Sequence, residues 1–376
     1  MATTYSPQLG QPISTLDTPS MLVSLPLMES NITKLFSTLL PTGISIRPHL
    51  KTTKSVVLAQ RLIAAGARGA CVAKLSEAEV MTSLGFTDLL ITCEIVGPAK
   101  VKRLVELFGR NPEVRIVVDS AAGAGAIQAE MVRSGVKGRI ATLIDLDVGL
   151  HRTGVRAGEP ARELARYVRE ECGGLKIIGV QGYEGHLQHL HGAEERKRLC
   201  LESMKVLVDT AEQLRNDGHQ IDVVTTGGTG TAEFCVTVPG VTEVQPGSFL
   251  LMDTDYRNAI GRFYANSLTI LSTVISKQGE RIVTIDAGLK SLTTDSGLAE
   301  CKEEGFVYGV LGDEHGSLEW TEEGEGNGVR KLEVGDRVEM VPSHIDPTIN
   351  LHDVYYAHRD GIIEEIWKVD ARGKVQ

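Results

Sequence analysis

Eight short apolar runs, separated by longer segments of helical period, fill the chain from about residue 43 to 250. They are ISIRPHL (44–50), GACVA (69–73), DLLIT (88–92), VRIVVD (114–119), RIATLIDLD (139–147), LKIIGVQGY (175–183), IDVVTTGG (221–228) and TEVQPG (242–247). Between them lie stretches such as Arg198–Leu214, where Cys200, Leu201, Met204, Leu207, Val208, Ala211 and Leu214 recur at three- and four-residue steps. That spacing lines one face of an amphipathic helix. Strand-then-helix alternation requires parallel strands joined by right-handed crossovers. Eight such strands count out a closed (β/α)8 barrel of the TIM type, with an open doubly wound sheet as the second arrangement.

After about residue 255 the pattern changes. SLTILSTVISK, RIVTIDAG, KLEVGDRVEMV and IIEEIWKVD are short, β-branched and broken by Gly, Asp and Glu. They predict a mainly antiparallel β domain. The reading is therefore an α/β chain: a barrel over 27–254, and a β domain made of 1–26 with 255–376. TPSMLVSL (18–25) is expected to pair into that second domain, and EEGEGNG (322–328) to be a solvated loop. A length of 376 residues suits a barrel with an added piece.

Composition excludes more than it assigns. The net charge is -10 and the basic residues are scattered, so no nucleic-acid footprint is expected. No apolar run approaches about 20 residues, so no membrane span is expected. Six cysteines lie irregularly with no CxxC pair, as free thiols in a reducing compartment do. The opening MATTYSPQLG lacks the basic and apolar regions of a secretory signal. The expected location is the cytoplasm.

Five motifs carry chemistry. RPHLKTTK (47–54) ends the first barrel strand, and barrel enzymes build their sites at such ends. A lysine desolvated there, Lys51, can lose its proton and serve as a Schiff-base amine. Read locally, the same octapeptide equally describes a surface lysine after a strand. DVGLHRTG (147–154) follows the fifth strand, its glycines letting the backbone turn closely while Arg152 points inward. GYEGHLQH (182–189) follows the sixth, with Tyr183 suited to lie against a flat cofactor and His186 or His189 to act as a base. Buried, hydrogen-bonded side chains are the alternative there. TTGGTGT (225–231) ends the seventh strand, where backbone N–H groups and Thr229 at a helix entrance would cradle a phosphate; otherwise it is a tight turn. VPSHIDPTINLHD (341–353) lies in the β domain. His344 and Asp346 are two apart, so on a strand they share a face and a possible metal, although surface residues before a Pro turn show the same spacing.

Taken together, RPHLKTTK, LDVGLHRTG, GYEGHLQH, TTGGTGT, EVQPGSFLLMD, DAGLKS and VPSHIDPTINLHD resemble the D-threonine aldolase and D-serine dehydratase family. That family belongs to the alanine-racemase-like, fold type III pyridoxal-phosphate enzymes. The resemblance runs from Thr18–Pro19 to Asp353 with the motifs in the family's order. It implies pyridoxal 5'-phosphate held by Lys51, with His49, Arg152, Tyr183, Thr226, Gly227, Gly228, Thr229, Gln245, Gly247 and Ser248 around it. His344 and Asp346 would bind a divalent metal, manganese first, with magnesium or zinc open, and His189 would be the base on the substrate hydroxyl. The resemblance also implies a homodimer whose active sites are shared between subunits.

The dehydratase branches resemble this segment but carry a cysteine where this chain has Asp346. A carboxylate there resembles the aldolase branch, so the resemblance implies metal-dependent D-threonine aldolase; that thiolate favours zinc and carboxylate harder ions agrees with it. This is retro-aldol cleavage of D-3-hydroxy-amino acids to glycine and an aldehyde. Dehydration of D-serine or D-threo-3-hydroxyaspartate to a keto acid and ammonia is the neighbouring alternative. A non-catalytic pyridoxal-phosphate homeostasis protein is the alternative of another class, but it would not need a β domain bearing a metal motif. One departure from the family's pattern bears on the site: Thr53 stands where a histidine is usual.

Overall fold

The structure is a computed structural model that describes residues 8–322 and 329–376. The stretch read as a solvated loop therefore lies, apart from Glu322, outside the described residues, as does most of the N-terminal decapeptide. The chain divides into two compact units, Met1–Lys34 with Ser248–Arg372, and Leu35–Gly247 with Gly373–Gln376.

In chain order, β1 (Ser20–Ser24) belongs to the first unit. The second unit contains β2 (Ser45–Ile46), β3 (Ala70–Val72), β4 (Leu89–Ile91), β5 (Arg115–Val118), β6 (Ile140–Asp147), β7 (Val155–Arg156), β8 (Leu175–Gly182), β9 (Val223–Thr226) and β10 (Glu243–Val244). Eight of these are the apolar runs of the sequence, and all pair in parallel in the order β2-β10-β9-β8-β6-β5-β4-β3. Chain beyond β2 closes the ring. His49 bridges Cys71 in parallel, the Leu50 N–H donates to the Cys71 carbonyl at 2.8 Å, and the Cys71 N–H donates to Pro48 at 2.8 Å. β7, two residues beside β6, is an addition the apolar pattern did not predict. Cys71, Leu90, Val117 and Leu143 pack together inside this unit with Ile178 and Val223 against them. Burying such side chains is the main favourable term in forming the unit.

The first unit resumes with β11 (Leu268–Gln278), β12 (Ile282–Ile285), β13 (Glu300–Cys301), β14 (Phe306–Val310), β15 (Gly316–Trp320), β16 (Arg337–Val341), β17 (Val354–Arg359) and β18 (Ile362–Lys368). Every pairing in its sheet is antiparallel except β1 with β17, and β1 lies between β11 and β17. A register shift between Val274 and Ser276 lets the long β11 bond β1 and β16 along one part and β12 along another. One expectation fails. The segment after β16 is not a strand: His344 caps a short helix, Ile345–Ile349, with Asp346 in its first turn. Pro347 explains this, because proline is tolerated in the first turn of a helix but breaks a strand ladder.

Candidate active site

The C-terminal ends of the parallel strands carry a polar layer built from six strands. His49 Nε2 lies 3.0 Å from Thr92 Oγ1, and the Lys51 N–H donates to His49 Nδ1 at 3.2 Å. An Nδ1 that accepts puts the imidazole proton on Nε2, so the ring donates to Thr92, whose hydroxyl donates on to the Val72 carbonyl at 3.3 Å. Gln181 Nε2 donates to Asp145 Oδ1 at 2.9 Å, and Gln245 Nε2 donates to both Gln181 Oε1 (3.2 Å) and Thr225 Oγ1 (2.9 Å). Burial pushes the Asp145 carboxyl well above its ordinary range, and the neighbouring Glu94 charge adds to this. The layer joins β2, β4, β6, β8, β9 and β10 at one end of the barrel, where barrel sites form.

Lys51 sits half-buried in the turn that follows β2, while Thr52, Thr53, Lys54 and Ser55 are all buried. Thr53, the departure from the family pattern, thus places a small hydroxyl side chain inside that turn. Gly247 presses on it: a Cβ there would lie 2.8 Å from the His49 carbonyl oxygen and 3.2 Å from Thr52 Oγ1. Only glycine allows this approach. Ser248, next in the chain, is buried at the start of the turn Ser248–Leu250.

Arg152 and Tyr183, drawn from separate motifs, are brought together, the guanidinium carbon lying 5.7 Å from the ring centroid. The loop holding Arg152 is fixed by Asp147, whose carboxylate accepts the Gly149 and His151 N–H groups, each at 3.0 Å, and contacts His151 Nδ1 at 2.6 Å. Burial opposes ionisation of Asp147, yet these donors hold its carboxyl below the usual range. His189 is half-buried beyond the turn Gly185–Leu187, and His186 is exposed.

The glycine loop is more inward-looking than the sequence reading had it. The Gly230 N–H donates to Gln188 Oε1 (2.9 Å), Gly228 to Thr231 Oγ1 (3.1 Å), and Gly227 weakly to Glu184 Oε2 (3.4 Å). A Cβ on Gly228 would meet Gln188 Oε1 at 2.5 Å. The helix that follows, Ala232–Cys235, is four residues long and offers little dipole. Thr226, through Oγ1, and Thr229 are both buried in the loop.

Two residues inside a quoted motif were overlooked by the sequence reading. Glu184 and Gln188 hold the loop: Glu184 accepts from Thr226 Oγ1 (3.0 Å), Thr231 Oγ1 (2.5 Å) and Gln188 Nε2 (3.2 Å). Among the described residues, one group of three acid or thiol side chains converges within 4.8 Å, namely Glu184, Cys200 and Cys235. Its carboxylate is already committed to the loop, so the group reads as a buried hydrogen-bonded cluster.

The β unit carries the other predicted residues. His344 Nδ1 lies 2.6 Å from Asp295 Oδ2. Burial works against Asp295 ionising, but the His344 hydrogen bond and charge keep its carboxyl below the usual range. The Asp295 contact occupies Nδ1 and leaves Nε2 as the ring atom for a ligand. Asp253 is fully buried beneath the short helix, accepting from Ile345 N (3.0 Å) and Tyr256 N (2.8 Å), and burial pushes its carboxyl up to about 6. Asp346 lies near the buried Tyr355, whose hydroxyl pKa is raised by burial first and by the Asp346 charge second. Imidazole and carboxylate donors suit a hard or borderline divalent cation. No helix among the described residues is long and apolar enough to cross a membrane.

Known proteins are similar to this chain in sequence and fold. The family description "Alanine racemase, N-terminal domain" matches residues 23–255, and "Putative serine dehydratase domain" matches 267–358. A D-threonine aldolase of Arthrobacter sp is 37% identical over 97% of this chain and 95% of its own. A 3-hydroxy-D-aspartate aldolase of Paracoccus denitrificans is 33% identical over 97% of this chain and 94% of its own. The solved D-threonine aldolase of Filomicrobium marinum superposes with a TM-score of 0.92 at 33% identity, covering 98% of this chain and 99% of that one.

Proposed function

This chain belongs to the D-threonine aldolase and D-serine dehydratase family of alanine-racemase-like pyridoxal-phosphate enzymes, and from that premise we propose that it cleaves D-3-hydroxy-amino acids, D-threonine among them, to glycine and an aldehyde. The observation that carries the choice is Asp346. It offers carboxylate oxygen two residues after His344, where the dehydratase branches carry sulfur. The full-length likeness to two aldolases supports the same reading.

The barrel-end residues fit pyridoxal phosphate. Lys51 is an amine on a packed turn whose backbone bonds His49 of the polar layer, and the glycine loop and Thr229 lie after the seventh strand. When bound, the cofactor accepts the electron pair released as the Cα–Cβ bond breaks. Lys51 would hold it through its side-chain amine. Arg152 and Tyr183 would orient its ring, with His49, Gln245, Gly247 and Ser248 around it; Thr226, Gly227, Gly228 and Thr229 would receive its phosphate once the Thr226, Gly227 and Gly228 donors turn from Glu184 and Thr231, which they bond here. His344 and Asp346 would hold a divalent metal, manganese first among the choices, that acidifies the substrate's β-hydroxyl. His189 takes the hydroxyl proton on its imidazole nitrogen. A shared-site homodimer acting in the cytoplasm completes the proposal.

Dehydration is the second reading, favoured by the serine dehydratase description over residues 267–358. Incubation of the purified protein with D-threonine and D-serine, with and without a chelator, separates the two. Glycine and acetaldehyde that vanish on chelation and return with Mn2+ are expected. Keto acid and ammonia without glycine would overturn the aldolase reading.

A further inference from the structure

The motif RPHLKTTK contains two lysines, and the fold treats them differently. Lys54 is buried, 7% exposed, and its ammonium donates to Glu77 Oε1 at 2.6 Å; Glu77 is 2% exposed. The other Glu77 oxygen accepts the Ala73 N–H at 2.8 Å and the Lys74 N–H at 3.0 Å. Glu77 thus sits in the first turn of the helix Leu75–Ser83 that follows β3. Lys54 itself is in the left-handed region with φ +50, a conformation a side-chain-bearing residue keeps only when its surroundings enforce it. Its own N–H donates to the Leu50 carbonyl at 2.8 Å, closing a turn in which Lys51 is the first enclosed residue.

The turn is consequently tied at both ends to the same neighbouring strand-and-helix unit. Leu50 bonds Cys71 in β3 at its start, and Lys54 bonds Glu77 just beyond β3 at its end. A buried ion pair is poor value for stability alone, since apolar residues of similar size would serve as well. Its geometric specificity is what the turn uses. An ammonium engaged by a carboxylate is also ill-suited to be the neutral amine a Schiff base requires.

We infer that Lys54 and Glu77 are a positioning pair, a charge-neutral clamp that fixes the turn carrying Lys51 and balances the charge beside it. The inference rests on the reading above that Lys51 holds the cofactor. Besides the pair, His49 contacts the Lys51 backbone and Lys74 caps the neighbouring helix, and neither is altered in the test.

The test is a pH titration of the visible absorbance band of the cofactor-loaded protein in Glu77→Gln, Lys54→Met and Lys54→Arg. Glu77→Gln keeps oxygen for the backbone donors but leaves the Lys54 cation unbalanced, so the band's midpoint should fall by about half a unit or more. Lys54→Met leaves the carboxylate unbalanced and should raise it by about as much. Lys54→Arg should restore the parent value. Midpoints that stay put, or move in the same direction in both variants, would show a merely structural pair and overturn the inference. If Lys54→Met does not fold, the sign of the Glu77→Gln shift decides alone. Borohydride reduction and peptide mapping of the same samples tests the underlying reading separately. A pyridoxyl group on Lys51 is required, one on Lys54 refutes the clamp, and one on neither refutes the reading.

Discussion

The two units of this chain carry functional residues in opposite ways. In the barrel unit they stand at the ends of regular strands, pressed by glycines and joined by a hydrogen-bonded floor, so each inherits its place from the barrel's repeat. In the β unit, His344 and Asp346 leave the sheet at a short helix tied to residues distant in sequence, Asp295 at His344 and Asp253 at the Ile345 N–H between them. The first design gives precision through backbone regularity, the second through a few specific side-chain contacts. Damage should therefore spread in the barrel and stay local in the β unit.

The largest expected effect tests the barrel. Arg47 is fully buried, with Nε 3.0 Å from Glu243 Oε2 and Nη1 2.8 Å from Asp88 Oδ1. These contacts link β2 to β10 and to the chain entering β4, across the place where the ring closes. Arg47→Met strands the buried Glu243, and such a loss costs about 3–5 kcal/mol. Urea unfolding should show that fall, together with faster hydrogen exchange in several barrel strands. Exchange faster near residue 47 alone would break the comparison.

A smaller effect, confined to one site, is expected of Asp295→Ala. Removing the partner of His344 Nδ1 frees the ring and should lower divalent-metal affinity by about 10- to 100-fold. Unfolding should change little, since Asp295 is half-exposed. Metal titration by calorimetry checks the first statement and urea unfolding the second. Unchanged affinity would remove Asp295 from the site.

The same contrast governs what could be read from sequence. Eight barrel strands were legible because each is a compact apolar run between amphipathic helices. In the β unit β13, β14, β15 and β17 escaped, several of them very short or interrupted by glycine, as in FVYGV and GSLEW. The helical placement of Asp346 was signalled by Pro347 and an acidic first turn, but an alternating H-x-D spacing concealed it. Glu184 lay inside a motif already quoted, overshadowed by its histidines. Asp295 had no local signal, because its partner is 49 residues away. Nor could spacing tell Lys51 from Lys54, as only the fold supplies Glu77.

The smallest effect concerns pH, where each unit holds a desolvated group, Asp145 buried and His352 half-buried, whose titration opposes the other's. Burial raises the Asp145 carboxyl well above 3.8, with Glu94 adding to the shift. The folded chain then keeps a proton that the unfolded chain has released. That contribution to stability is complete below the unfolded value and is lost as pH rises through the folded one. His352 is the reverse: burial lowers it from 6.5, outweighing a 2.9 Å contact from Nε2 to the Ser291 carbonyl. Its contribution is present above 6.5 and is lost as pH falls through the depressed value. Because other groups titrate too, the comparison is drawn between parent and variant at each pH. The stability of the parent relative to Asp145→Asn should decline as pH rises from about 4, whereas relative to His352→Gln it should decline as pH falls below about 6.5. Urea midpoints across a pH series give both difference curves. Slopes of the same sign would mean that one of these two groups is paired differently in solution, and the contrast between the units would then rest on geometry alone.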